Sequence, residues 1–258
     1  MKRFCIWNRR QVSVVLGLLF AGAILLVALA AAIPYAYAGA TADSARRLPI
    51  YCTDRADKVV SLSFDAVWSD TDTQQLIDIL GQYGVKATFF VTGDWVDRCT
   101  DSVRALHEAG HEIMNLSDTH PNMPTLPRDK MLAELRSCGE KIQAVTGIWP
   151  SLCRAPYGDF DNALIETAEG MGMRCIQWDV DSLDARDLPA AKMVDRVVGQ
   201  VSSGSIVRFH NTAKHTPEAL PDILSQLQAQ GYTFLPVSEM IYADHYTVNH
   251  EGRQIRTE

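Results

Sequence analysis

Five places in this chain carry a polar side chain just after an apolar, strand-like run. They are Asp65 after VVSLSF, Asp118 and His120 after EIMN, Arg154 after PSLC, Asp181 after CIQWDV, and His210 after SIVRF. Taken singly, each has an ordinary structural role: an aspartate caps a turn, a loop histidine is solvated, an arginine beside proline pairs with a surface acid. In an alternating β/α domain, however, residues past the C-terminal ends of strands share one rim. Together they read as a site. Hydrolysis of an ester or amide needs a base for water, a charge for the oxyanion and an acid for the leaving group. Asp65 could be that base and His210 that acid, with Arg154 and Asp181 orienting and tuning them.

The oxyanion charge is commonly a metal, and catalytic zinc usually takes three protein ligands. His120 alone cannot supply them. Asp118 is the other nearby donor, and at i, i+2 it shares a side with His120 only if the segment is extended. Four residues before His120, where a second ligand on the same side could sit, there is Leu116. Arg208 offers a different source of charge. In GSIVRFHN alternate residues share a face, so Arg208 and His210 should point together towards the mouth, unless Arg208 turns out to solvent at the strand end. Inside so apolar a strand a guanidinium needs a carboxylate, and Asp65 or Asp181 would serve.

The elements that must position these residues follow from periodicity. VVSLSFD, VKATFFVTG, HEIMNLS, RCIQWDVD, GSIVRFHN and YTFLPV read as strands, and a short extended piece surrounds PSLCRAPYG. Helices are expected over TDTQQLIDILGQYG, DSVRALHEAG, Pro127 to about Thr146, from Asp161, and over TPEALPDILSQLQAQG with Thr216 as N-cap and Pro217 at its first position. About seven β/α units in some 185 residues fit a small or distorted (β/α) barrel, with a parallel sheet covered by helices.

The N-terminus is different. MKRFCIWNRRQ is basic, Val12 to Ile33 carries no charge, Pro34 breaks the run, and Ala36-Tyr37-Ala38 is a small-residue cleavage pattern. This describes an export signal, or an uncleaved anchor long enough to span a bilayer with the rest of the chain outside. The chain therefore divides into a signal or membrane anchor (1–38), a polar linker (39–57), the catalytic-type domain (58–240) and a polar tail (241–258). The first 38 residues hold four basic side chains and no acid, which leaves −11 on the remainder of a chain of net charge −7. So acidic a domain excludes a nucleic-acid partner. Five of the six cysteines lie in it, at spacings that form no zinc pattern; buried free thiols are expected, with room for one bridge.

From about Lys58 to Glu239 the chain resembles the NodB-homology polysaccharide deacetylases of carbohydrate esterase family 4. Five separated motifs carry the likeness in order: SFDA (Ser63–Ala66), NLSDTH (Asn115–His120), RAPYG (Arg154–Gly158), DVDSLDA (Asp179–Ala185) and VRFHN (Val207–Asn211). The wording SFDAVW, SDTHPNM and FHNTAKHTPEALP is nearest to the PdaB-like branch associated with endospore formation. The resemblance implies a distorted (β/α) barrel and a zinc-type divalent cofactor. It also implies hydrolysis of N-acetyl groups on a cell-wall glycan, peptidoglycan or chitin-like, outside the cytoplasm. Residue by residue it makes Asp65 the base, His120 a metal ligand, Arg154 the arginine that positions the base, Asp181 the acid that tunes the proton donor, and His210 that donor. Pro156 and Tyr157 fall with the substrate-binding part of the third motif, and Arg208 beside the acid. The departures are Ala66 where the family has a metal-binding aspartate, Leu116 for the first histidine, Ala185 for a groove tryptophan, and Arg208 for the leucine two residues before the acid histidine. Two readings follow: a deacetylase with an altered, metal-poor site, or a catalytically silent protein that binds glycan or assists wall assembly.

If Val12 to Ile33 is a signal or anchor, removing residues 1–38 should release a soluble domain, while the intact chain partitions with membranes or medium on fractionation. Accumulation of the intact protein in the host cytosol would contradict this.

Overall fold

The structure, a computed structural model, describes residues 46–257. The proposed export segment lies outside the described residues, and among those described no helix is long and apolar enough to cross a membrane. In chain order the elements are β1 (Cys52–Thr53), β2 (Val59–Ala66), α1 (Thr73–Gln82), β3 (Thr88–Val91), α2 (Gly93–Arg98), α3 (Thr100–Glu108), β4 (Glu112–Asn115), α4 (Arg128–Thr146) and β5 (Leu152–Cys153). There follow α5 (Asn162–Gly170), β6 (Arg174–Cys175), β7 (Val180–Asp181), α6 (Ala190–Gln200), β8 (Ser205–His210), α7 (Thr216–Ala229), β9 (Thr233–Phe234), α8 (Val237–Met240), β10 (Tyr246–Val248) and β11 (Arg253–Arg256).

The strands order as β10-β11-β1-β8-β2-β3-β4-β5-β6, with β7 on β8 and β9 on β2. Every pairing among β2 to β9 is parallel, as the strand–helix alternation demands. The sheet rolls: Ile50, just before β1, accepts from Gln177 (2.8 Å) and donates to Cys175 (2.9 Å), tying the far strand β6 back towards β1.

Period-2 alternation along β2 divides the protein into layers. Val60, Leu62, Phe64 and Ala66 join the apolar layer under the helices, with Leu76 and Leu80 of α1, Val197 of α6 and Leu220, Leu224 and Leu227 of α7. Phe64 stacks on Phe89 (4.9 Å between ring centres) and Phe209 (5.4 Å). Ser61, Ser63 and Asp65 therefore face the inside of the roll. There Phe90, Met114, Leu116, Leu152, Ile176 and Ile206 form a second apolar cluster. The sheet thus carries its polar residues on the concave side, at the end where the strands finish.

Several expectations are corrected. The linker and tail are built into the sheet: Cys52 and Thr53 pair with Arg253 and Gln254, and buried Gln254 exchanges two 2.7 Å hydrogen bonds with the backbone of Tyr242. These strands are two to four residues long and add only a few apolar contacts, such as Tyr246 and Val248 on the inner cluster, so no long pattern announced them. RCIQWDVD breaks into β6 and β7, and α2 and α6 were not anticipated. Thr216 is not the N-cap of α7, which is His215; its hydroxyl donates instead to Asp184 (2.9 Å). The five cysteines of the described region are free thiols, four of them buried; Cys153 and Cys175 are register neighbours with sulfurs 3.4 Å apart.

Candidate active site

The site starts from register. On the parallel ladder of β2 and β8, Ser63 lies opposite Arg208 and Asp65 opposite His210, so the proposed base and acid come from adjacent strands at one level. Asp65 is buried, and Arg154, following β5, reaches it with Nη1 at 2.7 Å. The same guanidinium donates through Nη2 to Ser63 Oγ (2.9 Å) and to the Gln177 carbonyl (3.2 Å). It lies 4.1 Å from the centre of the Phe90 ring and 5.3 Å from that of Trp178. An arginine this deep, with no exposed side-chain surface of its own, holds the largely buried carboxylate in one place and leaves only its outer edge open.

His210 is held by a different aspartate from the one expected. Its Nδ1 lies 2.8 Å from Asp184 Oδ1, and its backbone N–H donates to Asp184 Oδ2 at 2.7 Å. Asp184 also accepts from Ala185 N (2.7 Å) and Thr216 Oγ1. Asp181 instead accepts from Arg208 Nη2 (2.8 Å) and Leu183 N (2.9 Å). The reason is again register. Asp181 sits opposite Arg208 on β7–β8, whereas Asp184, in the 3-10 turn Asp184–Arg186 that follows, rises to the level of His210. Asp184 lay in the quoted DVDSLDA motif, and spacing alone could not choose among its three acids. With Nδ1 committed to Asp184, Nε2 is left for a reactant.

Burial opposes protonation of His210, but the Asp184 hydrogen bond and the negative charges of Asp65 and Asp184 outweigh it, so its pKa is raised despite Arg208 nearby. The imidazolium is thus favoured, as a proton donor requires. A raised histidine stabilises the fold below its unfolded pKa, and that contribution fades as pH climbs through the folded value. His120 goes the other way: burial lowers its pKa, Asp65 opposes, and His210 adds to the lowering. It stands in the left-handed region at φ 60°, its backbone N–H bonded to Ser117 Oγ (3.1 Å). Its ring meets Tyr157 edge-on at 4.7 Å and Trp68 at 6.4 Å, and its Nδ1 is buried with no bonding partner. Tyr157 is itself at φ 61° and 64% exposed, while Pro156 is buried beneath it. Strained backbone at these loop residues marks positions that surrounding contacts enforce.

Arg208 does not turn out to solvent. Its guanidinium stacks 3.6 Å above Trp178 and pairs with Asp181, with 18% of its side chain exposed. Asp118 is not turned to the site: its carboxylate takes Ser137 Oγ and Lys141 Nζ, both at 2.8 Å, against α4. Glu134 of α4 collects the N–H groups of Asp118 (2.9 Å) and Thr119 (2.8 Å), which fixes the loop that delivers His120. Glu134, Trp178 and Trp68 were missed in the sequence because a solitary helix acid or a tryptophan in an apolar stretch carries no local signature.

The donors do not fit a divalent zinc site of the implied kind. Among the described residues no three His, Cys, Asp or Glu side chains gather within reach of one ion. Ala66 belongs to the layer under the helices, Leu116 to the inner apolar cluster, and Asp118 is spent on Lys141. His120 remains with its orphaned Nδ1. Two measurements follow. Calorimetry should find zinc binding no tighter than about micromolar; a tight His120-dependent site in the native chain would overturn this. By NMR titration, Asp184→Asn should lower the His210 pKa more than Asp181→Asn does; the reverse order would show that Asp181 is the tuning acid.

Comparison with known proteins agrees with the motifs. Residues 53–176 match the family model for polysaccharide deacetylase. The peptidoglycan-N-acetylmuramic acid deacetylase PdaA of Bacillus subtilis is 29% identical over 74% of this chain and 74% of its own length. PdaC of the same species, also a peptidoglycan-N-acetylmuramic acid deacetylase, is 31% identical over 72% of this chain, which spans only 39% of PdaC. Among solved structures, a family 4 pseudoenzyme of Bacillus anthracis superimposes with TM-score 0.72 at 31% identity, over 74% of this chain and 68% of its own. A mutant of that protein with restored enzymatic activity gives the same TM-score at 32% identity. Rolled sheet, motif order and these likenesses together place the chain in the polysaccharide deacetylase family, carbohydrate esterase family 4.

Proposed function

We propose that this protein is an exported hydrolase that removes N-acetyl groups from a cell-wall glycan, with Asp65 as base and His210 as acid. The observation that carries the reading is the register pair itself. A carboxylate fixed by Arg154 and an imidazole fixed by Asp184 stand at one level on adjacent strands. A module that merely binds glycan has no need of either arrangement. Asp65 takes a proton from water as its oxygen adds to the acetyl carbon. The C–N bond then breaks as His210 gives its proton to the sugar amine, and acetate leaves. The related enzymes PdaA and PdaC act on peptidoglycan N-acetylmuramic acid by name, which supports wall glycan as the substrate class. The leader-like N-terminus supports action outside the cytoplasm.

Charge for the oxyanion is the weak point of a site with so few metal donors. In this reading Arg208 supplies it: a guanidinium clamped on Trp178, two residue pairs below Asp65 and His210 on the same face, with 18% of its side chain still exposed. Asp181 offsets that charge, so the oxyanion would have to share the guanidinium with it. The second reading, a catalytically silent glycan binder, is favoured by the apolar residues at positions 66 and 116 and by the likeness to a family pseudoenzyme.

Acetate release from purified peptidoglycan separates the two. On the hydrolase reading, release survives chelator and falls steeply in Arg208→Leu, on the order of 100–1,000-fold, the usual cost of one oxyanion donor. Chelator-sensitive release that Arg208→Leu leaves intact would refute Arg208's role, and no release at all would favour the silent binder.

A further inference from the structure

Trp68 is 71% exposed, although tryptophan is on average among the more buried side chains. It is not on a loose loop. The carbonyls of Val67 and Trp68 accept from Arg98 Nη2 (2.9 Å) and Nη1 (2.8 Å). The Ser69 carbonyl accepts from Trp95 Nε1 (3.0 Å) and Asn211 Nδ2 (2.6 Å). Three successive carbonyls are therefore tied down beneath an indole left bare. One edge of that indole meets His120. It also lines a groove of about 310 Å³ that leads to His210, with Asp184, Ala185, Thr212 and Lys214 among the other walls. The small side chain of Ala185 leaves that wall low, and polar groups ring the space.

We infer that Trp68 forms the stacking surface of a sugar subsite beside His210. A pyranose has a C–H face that packs on a flat aromatic and a rim of hydroxyls that seek polar partners. The groove offers that pair of surfaces: the bare indole, and around it the exposed Asp187 carboxylate with Thr212 and Lys214. Its volume falls at the lower end of small-ligand sites, enough for one ring rather than a long strand. The inference rests on the glycan reading above, but not on turnover, since a silent binder would use the same surface.

The test is binding of an N-acetylglucosamine tetramer to the full-length protein in detergent, followed by calorimetry and by tryptophan emission. The native chain should bind with a blue shift as the exposed indole is covered. Trp68→Ala should weaken binding at least about tenfold and abolish the shift, while Trp68→Phe recovers most of the affinity but not the shift. Since the side chain touches solvent, neither change should alter thermal unfolding. A native chain that binds no oligomer, or a Trp68→Ala chain that binds as well as native, overturns the subsite. Acetate release is read in parallel. Trp68-dependent binding without acetate supports the subsite while the hydrolase reading fails, and acetate release with unchanged Trp68→Ala binding does the opposite.

Discussion

The concave side of this protein is organised by one buried ion pair, Arg154 with Asp65. Arginine 154 leaves β5, crosses the inside of the roll and ends on β2, with further bonds to Ser63 and to the backbone after β6. Three strands far apart in sequence thus meet at one guanidinium. Burying both charges carries a desolvation penalty of several kcal/mol per ion, recovered only where hydrogen bonds and geometry are good. Phe90 and Trp178 supply aromatic faces for the cation, and Ser63 and Gln177 supply acceptors. Losing either partner would strand the other, at a typical cost of about 3–5 kcal/mol. The pair therefore fixes both the base and the shape of the roll around it.

Around that pair the remaining charges are matched two by two. Arg208 faces Asp181, and His210 faces Asp184. This matching explains why the site can be polar yet stable without a metal's charge. Where a metal ligand would bring a carboxylate or imidazole, the chain places Ala66 and Leu116 in apolar surroundings, and there is no excess negative charge to neutralise. The raised pKa of His210 has the same origin, because the acids facing it outweigh the effect of its burial. Fold, electrostatics and proposed proton transfer are consequences of one pattern of paired charges.

Much of this was legible in the sequence, because strands that end on one rim bring their following residues together. Asp65, Arg154, His120 and His210 could be placed near one another from periodicity alone. What could not be read is a choice that depends on height along a strand. Asp181 and Asp184 are three residues apart in one motif, and only the register of β7 on β8 gives Arg208 to the first and His210 to the second. Asp118 failed for a similar reason: Lys141, a turn of α4 distant in sequence by 23 residues, claims its carboxylate. The tail strands β10 and β11 were hard to see because only Tyr246 and Val248 of β10 pack on the inner cluster, while β11 is held by backbone pairing and a buried glutamine, too little to leave a readable apolar period.

The account stands on Asp65 and His210 acting as a proton-transfer pair, and single-turnover acetate release from peptidoglycan by chelator-treated protein measures that directly. The native chain should release acetate, and Asp65→Asn and His210→Ala should each reduce the rate by roughly 100–10,000-fold, the usual contribution of a general acid or base. Release by the native chain that either variant matches would contradict the account.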